Sequence, residues 1–349
     1  MKKLMLSTAL VGALVSGSAF AQTTITGELR LNYKATGSSV ASGTTTASQR
    51  GFGSEEQINV QTKGKLNVGG LEYAAGFAIE NDGEQTTTLF NENTYMDITN
   101  PGSKTTVSFS RDHVIRGDSS KSDGVIFGFD PNDLTLTVGS GTATRFTQSP
   151  GPAVGQQYSM AIIQNTPVGN FIYNYAPTAG ANATNTAGSE TTAETDNESG
   201  YEYGFDGDLG VKGLHAYYLK SAEKMQVGKT VKAEALNWGA KYNFGQATVG
   251  YTKKVYNTAH TSLNEITENH YGAAYAIDNN LSIGLLYAKA EASGAGASNT
   301  TVTEKTKAIQ VGYNLGPVSL TAAVAKNSDV GGVAGQDQDV VMLRLIGAF

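Results

Sequence analysis

The chain has 349 residues, with 25 Lys and Arg set against 31 Asp and Glu for a formal net charge of −6. That acidic balance argues against a nucleic-acid partner, which calls for a basic stripe, and the absence of cysteine excludes a disulfide framework or a cysteine-held metal. Gly is abundant at 42 and Pro scarce at 7, mean hydropathy is −0.25, and no apolar run after Gln22 approaches the ~20 residues a membrane helix needs.

The chain opens with Lys2 and Lys3, an apolar run from Leu4 to about Val15, and Ala19-Phe20-Ala21 before Gln22. This is the pattern of a secretory signal peptide, cut between Ala21 and Gln22. Residues 1–21 are therefore set aside, and 22–349 are read as one domain.

That domain begins "TITGELRLNYK", with Ile25, Leu29, Leu31 and Tyr33 on one face and Glu28, Arg30, Asn32 and Lys34 on the other. Such alternation is the period of a strand with one apolar and one wet face. "LEYAAGFAIE", "YEYGFDGDLG", "ALNWGAKYNF", "LSIGLLYAKA", "AIQVGYNL" and "VSLTAAVAK" repeat it, and no helical period of comparable length occurs. The protein is predicted to be all-β. Strands fall near 24–34, 54–65, 71–81, 92–99, 104–111, 157–165, 170–177, 199–209, 213–221, 232–243, 246–256, 265–277, 281–290, 303–314, 317–326 and 337–349, which is 16.

Short turns rich in Gly, Pro, Asn and Asp, such as "LNVGGL" and "IDNNL", alternate with long polar connections near 35–54, 82–91, 178–199, 222–231, 257–264, 292–301 and 327–336. Sorting by length is the signature of a transmembrane antiparallel barrel with short periplasmic turns and long outer loops. A 16-stranded barrel is too wide for side chains to fill and leaves an aqueous channel. The longest connection, 112–156, reads either as a loop or as one more hairpin turning at Asp130–Asp133, which would make 18 strands.

Strand parity puts Arg30, Lys63, Lys241, Lys254 and Arg344 opposite the apolar series, hence on the channel wall. Tyr33, Tyr73, Tyr95, Tyr175, Tyr201, Tyr251, Tyr271, Tyr287 and Tyr313 suit interfacial girdles, though β-propensity accounts for them equally. The four histidines, His113, His215, His260 and His270, include the neighbours Asp112-His113. Adjacency in sequence does not make a catalytic dyad, so no enzyme is expected and no catalytic residue is assigned. No cofactor is expected either, apart from a possible structural Ca²⁺ on Asp130 and Asp133 of "DPND".

The signal peptide, the strand after it, the rhythm of turns and loops, and the terminal Phe349 resemble a Gram-negative general porin, as does "YSMAIIQNTPVGNFIYNYAP", which looks like the hairpin after the third loop of such porins. The resemblance covers essentially all of 22–349 and favours reading 112–156 as a constriction loop folded into the pore. It implies acids on that loop, here Asp112, Asp118, Asp123, Asp130 and Asp133, facing the basic wall; Arg116, Lys121 and Arg145 depart from the pattern. It also implies a homotrimer in the Gram-negative outer membrane among lipids and lipopolysaccharide. Phe349 would be the signal read by the barrel-assembly machinery. The function implied is passive diffusion of ions and small hydrophilic solutes. A substrate-specific channel is the nearest alternative, and a barrel enzyme or adhesin a distant one.

Overall fold

Sixteen antiparallel strands close on themselves in the computed structural model, which describes residues 22–39, 47–81, 90–111, 129, 131, 134, 158–177, 199–223, 234–257, 265–293 and 301–349. They are β1 (Gln22–Ser39), β2 (Ala47–Lys65), β3 (Glu72–Asn81), β4 (Phe90–Asn100), β5 (Thr105–Arg111), β6 (Ser159–Thr166), β7 (Gly169–Ala176) and β8 (Gly200–Gly207). Then come β9 (Leu214–Glu223), β10 (Glu234–Phe244), β11 (Ala247–Asn257), β12 (Glu265–Ala276), β13 (Leu281–Ser293), β14 (Val302–Asn314), β15 (Val318–Ser328) and β16 (Asp337–Ala348). Each strand pairs with its neighbours in sequence, and β1 pairs with β16 to seal the sheet. Full closure leaves no unpaired edge to face lipid.

β5 pairs directly with β6, Ser110 opposite Ser159. No strand lies between them in the sheet, which decides for 16 strands over 18. β1 and β2 reach further than the sequence pattern suggests, pairing out to Ser38 opposite Ala47. Beyond the apolar band both faces of a sheet are wet, so the alternation stops marking a strand while the ladder continues. The connection expected at 327–336 is likewise tighter than a long loop. β15 runs to Ser328, a 3₁₀ turn follows at Val330–Gly332 with Val330 buried, and the Gly331 N–H donates to Glu304 Oε2 at 3.0 Å.

At the short-turn end, side-chain oxygens repeatedly fold the backbone back. Asp208 Oδ1 accepts from the Gly210 N–H at 2.9 Å, Asn314 Oδ1 from the Gly316 N–H at 2.8 Å, and Asp278 Oδ1 from the N–H groups of Asn280 at 2.7 Å and Leu281 at 2.8 Å. Asx residues favour turns for this reason. The two backbone donors hold the Asp278 carboxyl below its ordinary acidity range.

Residues opposite one another across a ladder share a face, so the register sorts the chain into two series. Leu29, Leu31, Phe171, Leu285, Ile309, Val324 and Leu343 are exposed on the outside, the lipid-facing band of a spanning sheet. Ser108, Asn174, Glu202, Thr252 and Gln310, all at 0% exposure, belong to the inner series. The aromatics follow the register rather than the strand ends. Trp238 and Tyr251 lie 5.3 Å apart, Tyr251 and Tyr271 5.0 Å, and Tyr271 and Tyr287 5.9 Å, in a row across four strands. Tyr95 leaves the expected girdle altogether: it pairs with Gly76 on the inner face.

Candidate functional site

The lumen is not an empty tube. Phe129, Pro131 and Leu134, from the long segment between β5 and β6, are buried, and Phe129 and Leu134 pack with the inner faces of β13 to β16. The floor beneath them is largely alanine, from Ala288, Ala308, Ala323 and Ala325, with Leu286, Val340 and Met342 beside them. In a water-filled channel an inner series should be polar, so an alanine surface is legible only as a docking site for another part of the chain.

Two amide side chains fix the segment to this floor. Gln310 Oε1 accepts from the Phe129 N–H at 2.8 Å, and Gln310 Nε2 donates to the Phe129 carbonyl at 2.7 Å. One side chain thus satisfies both backbone groups of one loop residue, which a buried peptide requires. Asn327 Nδ2 donates to the Leu134 carbonyl at 2.7 Å, while Asn327 Oδ1 accepts from Thr306 Oγ1 at 2.7 Å. The threonine hydroxyl leaves the amide one orientation, with its NH₂ aimed at the loop. Arg344 completes the clamp, its guanidinium 4.6 Å from the centre of the Phe129 ring, a cation–π distance. Arg344 Nε also donates to Asn32 Oδ1 at 2.9 Å.

Beside this clamp, β1 and β2 present a charged cluster. Arg30 Nε donates to Glu28 Oε1, and Arg30 Nη1 donates to Glu55 Oε1 at 2.6 Å. The cluster continues onto β3, where Gln57 Nε2 donates to Glu80 Oε2 at 3.2 Å. Further round, His270 Nε2 lies 2.9 Å from Glu268 Oε2, and Tyr256 Oη donates to Glu268 Oε1 at 3.0 Å. Nearer the short turns, His215 Nε2 is 3.2 Å from Asp206 Oδ1.

The five wall bases all lie on the inner series, in different settings. Arg30 is bound by two carboxylates, and Arg344 is stacked on the loop. Lys63 pairs with Gln22 and Ala74 near the short-turn end, where it is exposed. Lys241 is half-buried opposite His215. Lys254 is 3% exposed, between Asn237 and Glu268 in the ladder. Asp112, Asp118, Asp123, Asp130 and Asp133 lie outside the described residues, as does Ala21. Gln22 is the first residue of β1. Phe349 pairs by backbone with Gly27, accepting from the Gly27 N–H at 2.7 Å and donating to the Gly27 carbonyl at 3.0 Å. Among the described residues, no group of three His, Cys, Asp or Glu is placed to hold a metal ion.

Reading for bases alone missed Glu28 and Glu55, although both stand on the parity of Arg30 across one hairpin. It missed Gln310 and Asn327 as well; the one signal in the sequence was the alanine-rich stretch Ala322, Ala323 and Ala325 before Asn327.

Comparison with known proteins bears on this geometry directly. A family model described as Gram-negative porin matches residues 7–332. No curated protein matches the sequence. Among solved structures, the anion-selective porin from Comamonas acidovorans superposes with a TM-score of 0.66 at 16% identity, covering 94% of this chain and 100% of its own. OmpF of Salmonella typhi gives 0.62 at 13%, covering 94% and 97%. OmpT of Vibrio cholerae gives 0.59 at 12%, covering 95% and 99%. At such identities the likeness to these structures is one of fold.

Proposed function

The chain belongs to the Gram-negative porin family and forms an outer-membrane channel for passive diffusion of small solutes; on that premise we propose that ions and small hydrophilic molecules cross through the gap between the docked loop and the charged wall. The observation that supports this path is the Phe129–Gln310 anchor, which ties loop to wall inside the lumen. Opposed charges across a narrow aperture order water and penalise apolar solutes, and they bias which ion enters. The acids Asp112, Asp118, Asp123, Asp130 and Asp133 are the loop's share of that field in this proposal; Arg30, Lys63, Lys241, Lys254 and Arg344 are the wall's.

No reaction is part of the reading. The imidazole–carboxylate pairs His215–Asp206 and His270–Glu268 serve as wall polarity, without an activated nucleophile assigned to either. Export by a signal peptide cut before Gln22, assembly as a homotrimer and capture of Phe349 by the assembly machinery complete the proposal. N-terminal sequencing of the protein from outer membranes tests the cleavage. Asp130 and Asp133 keep their reading as oxygen ligands for Ca²⁺; a calcium-induced rise in thermal stability, absent in D130N/D133N, would support it.

The deciding experiment is single-channel recording in a planar bilayer. Stepwise, ohmic conductance that does not saturate with salt or sugar is expected, with steps grouped in threes. Saturation by one solute would replace general diffusion with a specific channel.

Selectivity offers a sharper check. Arg30 is held by Glu28 and Glu55, so Arg30→Gln leaves two carboxylates uncompensated. A unit charge ~7 Å from an ion in water changes its energy by ~0.6 kcal/mol, with opposite sign for cation and anion, so the cation-to-anion permeability ratio should rise roughly sevenfold. The reversal potential in a KCl gradient reads this directly, and an unchanged value would remove the cluster from the conduction path.

A further inference from the structure

The inner wall of β8 to β11 changes character as it nears the short turns. Tyr217, Leu219, Asn237 and Thr252 are buried, and the Tyr217 and Thr252 hydroxyls bond to each other at 2.9 Å. Gly239 makes room for that pair, since an added Cβ would stand 2.8 Å from Tyr217 Oη and 2.9 Å from Thr252 Oγ1. Toward the turns the cover ends. The side chains of His215 and Asp206 are 39% and 28% exposed, and Lys241 is half-buried beside them. His215 therefore meets the aqueous lumen at its short-turn mouth, on a different stretch of wall from the docked Phe129 and Leu134.

This histidine sits between opposite charges. Its Nε2 lies 3.2 Å from Asp206 Oδ1, and the ladder sets Lys241 directly opposite it on the next strand. Lys241 makes no ion pair among the described residues. The Tyr217 ring, centred 6.2 Å from the imidazole, is its neighbour on its own strand. Asp208 and Lys212, in the turn before β9, are exposed, and Asp208 Oδ1 is spent on the Gly210 N–H. On the far side of β10, β11 offers Thr248, Gly250 and Thr252 at this level, none of them charged. On the far side of β8, the residue opposite Asp206 is the neutral Asn170.

The charge of this wall accordingly turns on the imidazole. With His215 neutral, Asp206 and Lys241 cancel. With Nε2 turned to Asp206, a proton is taken at Nδ1, which makes no hydrogen bond, and the three side chains together become a cation. Imidazole is the one side chain whose unperturbed titration falls between pH 5 and 8. His270 is buried against Glu268 and does not face the open lumen, while His113 and His260 lie outside the described residues.

We propose that His215, with Lys241 opposite it, is a second selectivity element of the channel, placed at the short-turn mouth and separate from the docked loop. Protonated, it draws small anions into this end of the lumen; neutral, it gives them no advantage. The inference rests on the channel reading.

The test measures reversal potentials in a KCl gradient at about pH 7.5 and about pH 5.5, either side of the imidazole range, for wild type, H215Q and H215K in planar bilayers. On acidification the anion-to-cation permeability ratio of wild type should rise roughly two- to sevenfold for a unit charge ~7 Å from the ion path, the lower figure where salt screens it. H215Q should show little of this step, and H215K should hold the acidic ratio at both pH values. Opposite displacements by Gln and Lys are what a charge produces and a lost packing contact does not. K241Q should lower the anion preference at both pH values and leave the step between them in place. A step in H215Q as large as that of wild type would overturn the proposal, and so would an H215K channel indistinguishable from H215Q. If H215Q does not fold, H215N takes its place with the same expectation. A conducting wild type without a pH step would sink the proposal and leave the channel reading intact, whereas a wild type that opens no channel would sink both.

Discussion

A Gln310→Ala channel is expected to show excess open-channel noise and frequent excursions to higher conductance. Gln310 is fully buried and spends both ends of its amide on the Phe129 backbone. Alanine leaves an N–H and a carbonyl facing an apolar floor, at a cost of ~1–3 kcal/mol for each group that water does not reach. Loss of about 2 kcal/mol raises the detached population of the loop roughly 30-fold. Asn327→Ala removes the second anchor, at Leu134, and the two changes should couple, because each loosens what the other still holds. Gln310→Glu is the informative companion. It keeps an acceptor for the Phe129 N–H but sets a charged oxygen against the carbonyl, so it should be at least as noisy as alanine. Traces as quiet as wild type in all three would show that the loop is held elsewhere.

The anchor also shows where the sequence was readable and where it was not. Alternation with period two is imposed by the pleat, and a sheet between lipid and water must obey it at nearly every position. The facing of Arg30, Lys63, Lys241, Lys254 and Arg344 followed from that rule alone, whereas the choice between 16 and 18 strands needed the pairing of β5 with β6. The rule weakens where the environment stops being two-sided. Between Ala35 and Ser38, and between Ala47 and Gly51, the residues are small or polar in both series, so the upper ladder of β1 and β2, which pairs out to Ser38 opposite Ala47, gave no signal. At Tyr95 the inner face carries a large aromatic over Gly76, where an added Cβ would lie 2.8 Å from the ring. A residue's type predicted a girdle there, and its partner decided otherwise.

Pairing was harder to read than facing. Arg30 on the wall looks like a free cation until the hairpin register brings Glu55 to it, and its effective charge then depends on three residues. The alanines of β13 to β15 pose the reverse problem. Taken one at a time they are unremarkable strand residues, and only their sharing the inner face marks a covered surface. Both cases need knowledge of which residues sit side by side across strands, which a pattern along one strand does not hold.

Two glycines on different seams should respond to the same substitution in opposite ways. An added Cβ at Gly204 would stand 2.1 Å from the Tyr218 carbonyl oxygen and 2.6 Å from Leu219 Cδ2. The first of these is backbone of the adjacent strand, so Gly204→Ala has no rotamer to move and must part β8 from β9. The expected cost is roughly 3 kcal/mol or more, at the upper end for overpacking. At Gly27 the added atom would also come within 2.2 Å of a neighbour, but that neighbour is the ring of Phe349, which is 77% exposed and free to swing outward. Gly27→Ala should therefore leave the seam's backbone bonds intact and lose little stability. Urea titration of each variant refolded into lipid vesicles, followed by the electrophoretic shift between folded and heated forms, measures both. Gly204→Ala should unfold at markedly lower urea, or fail to fold, and Gly27→Ala should track wild type. The reverse order would mean that closure depends on the seat of the Phe349 ring rather than on the backbone ladder between β1 and β16.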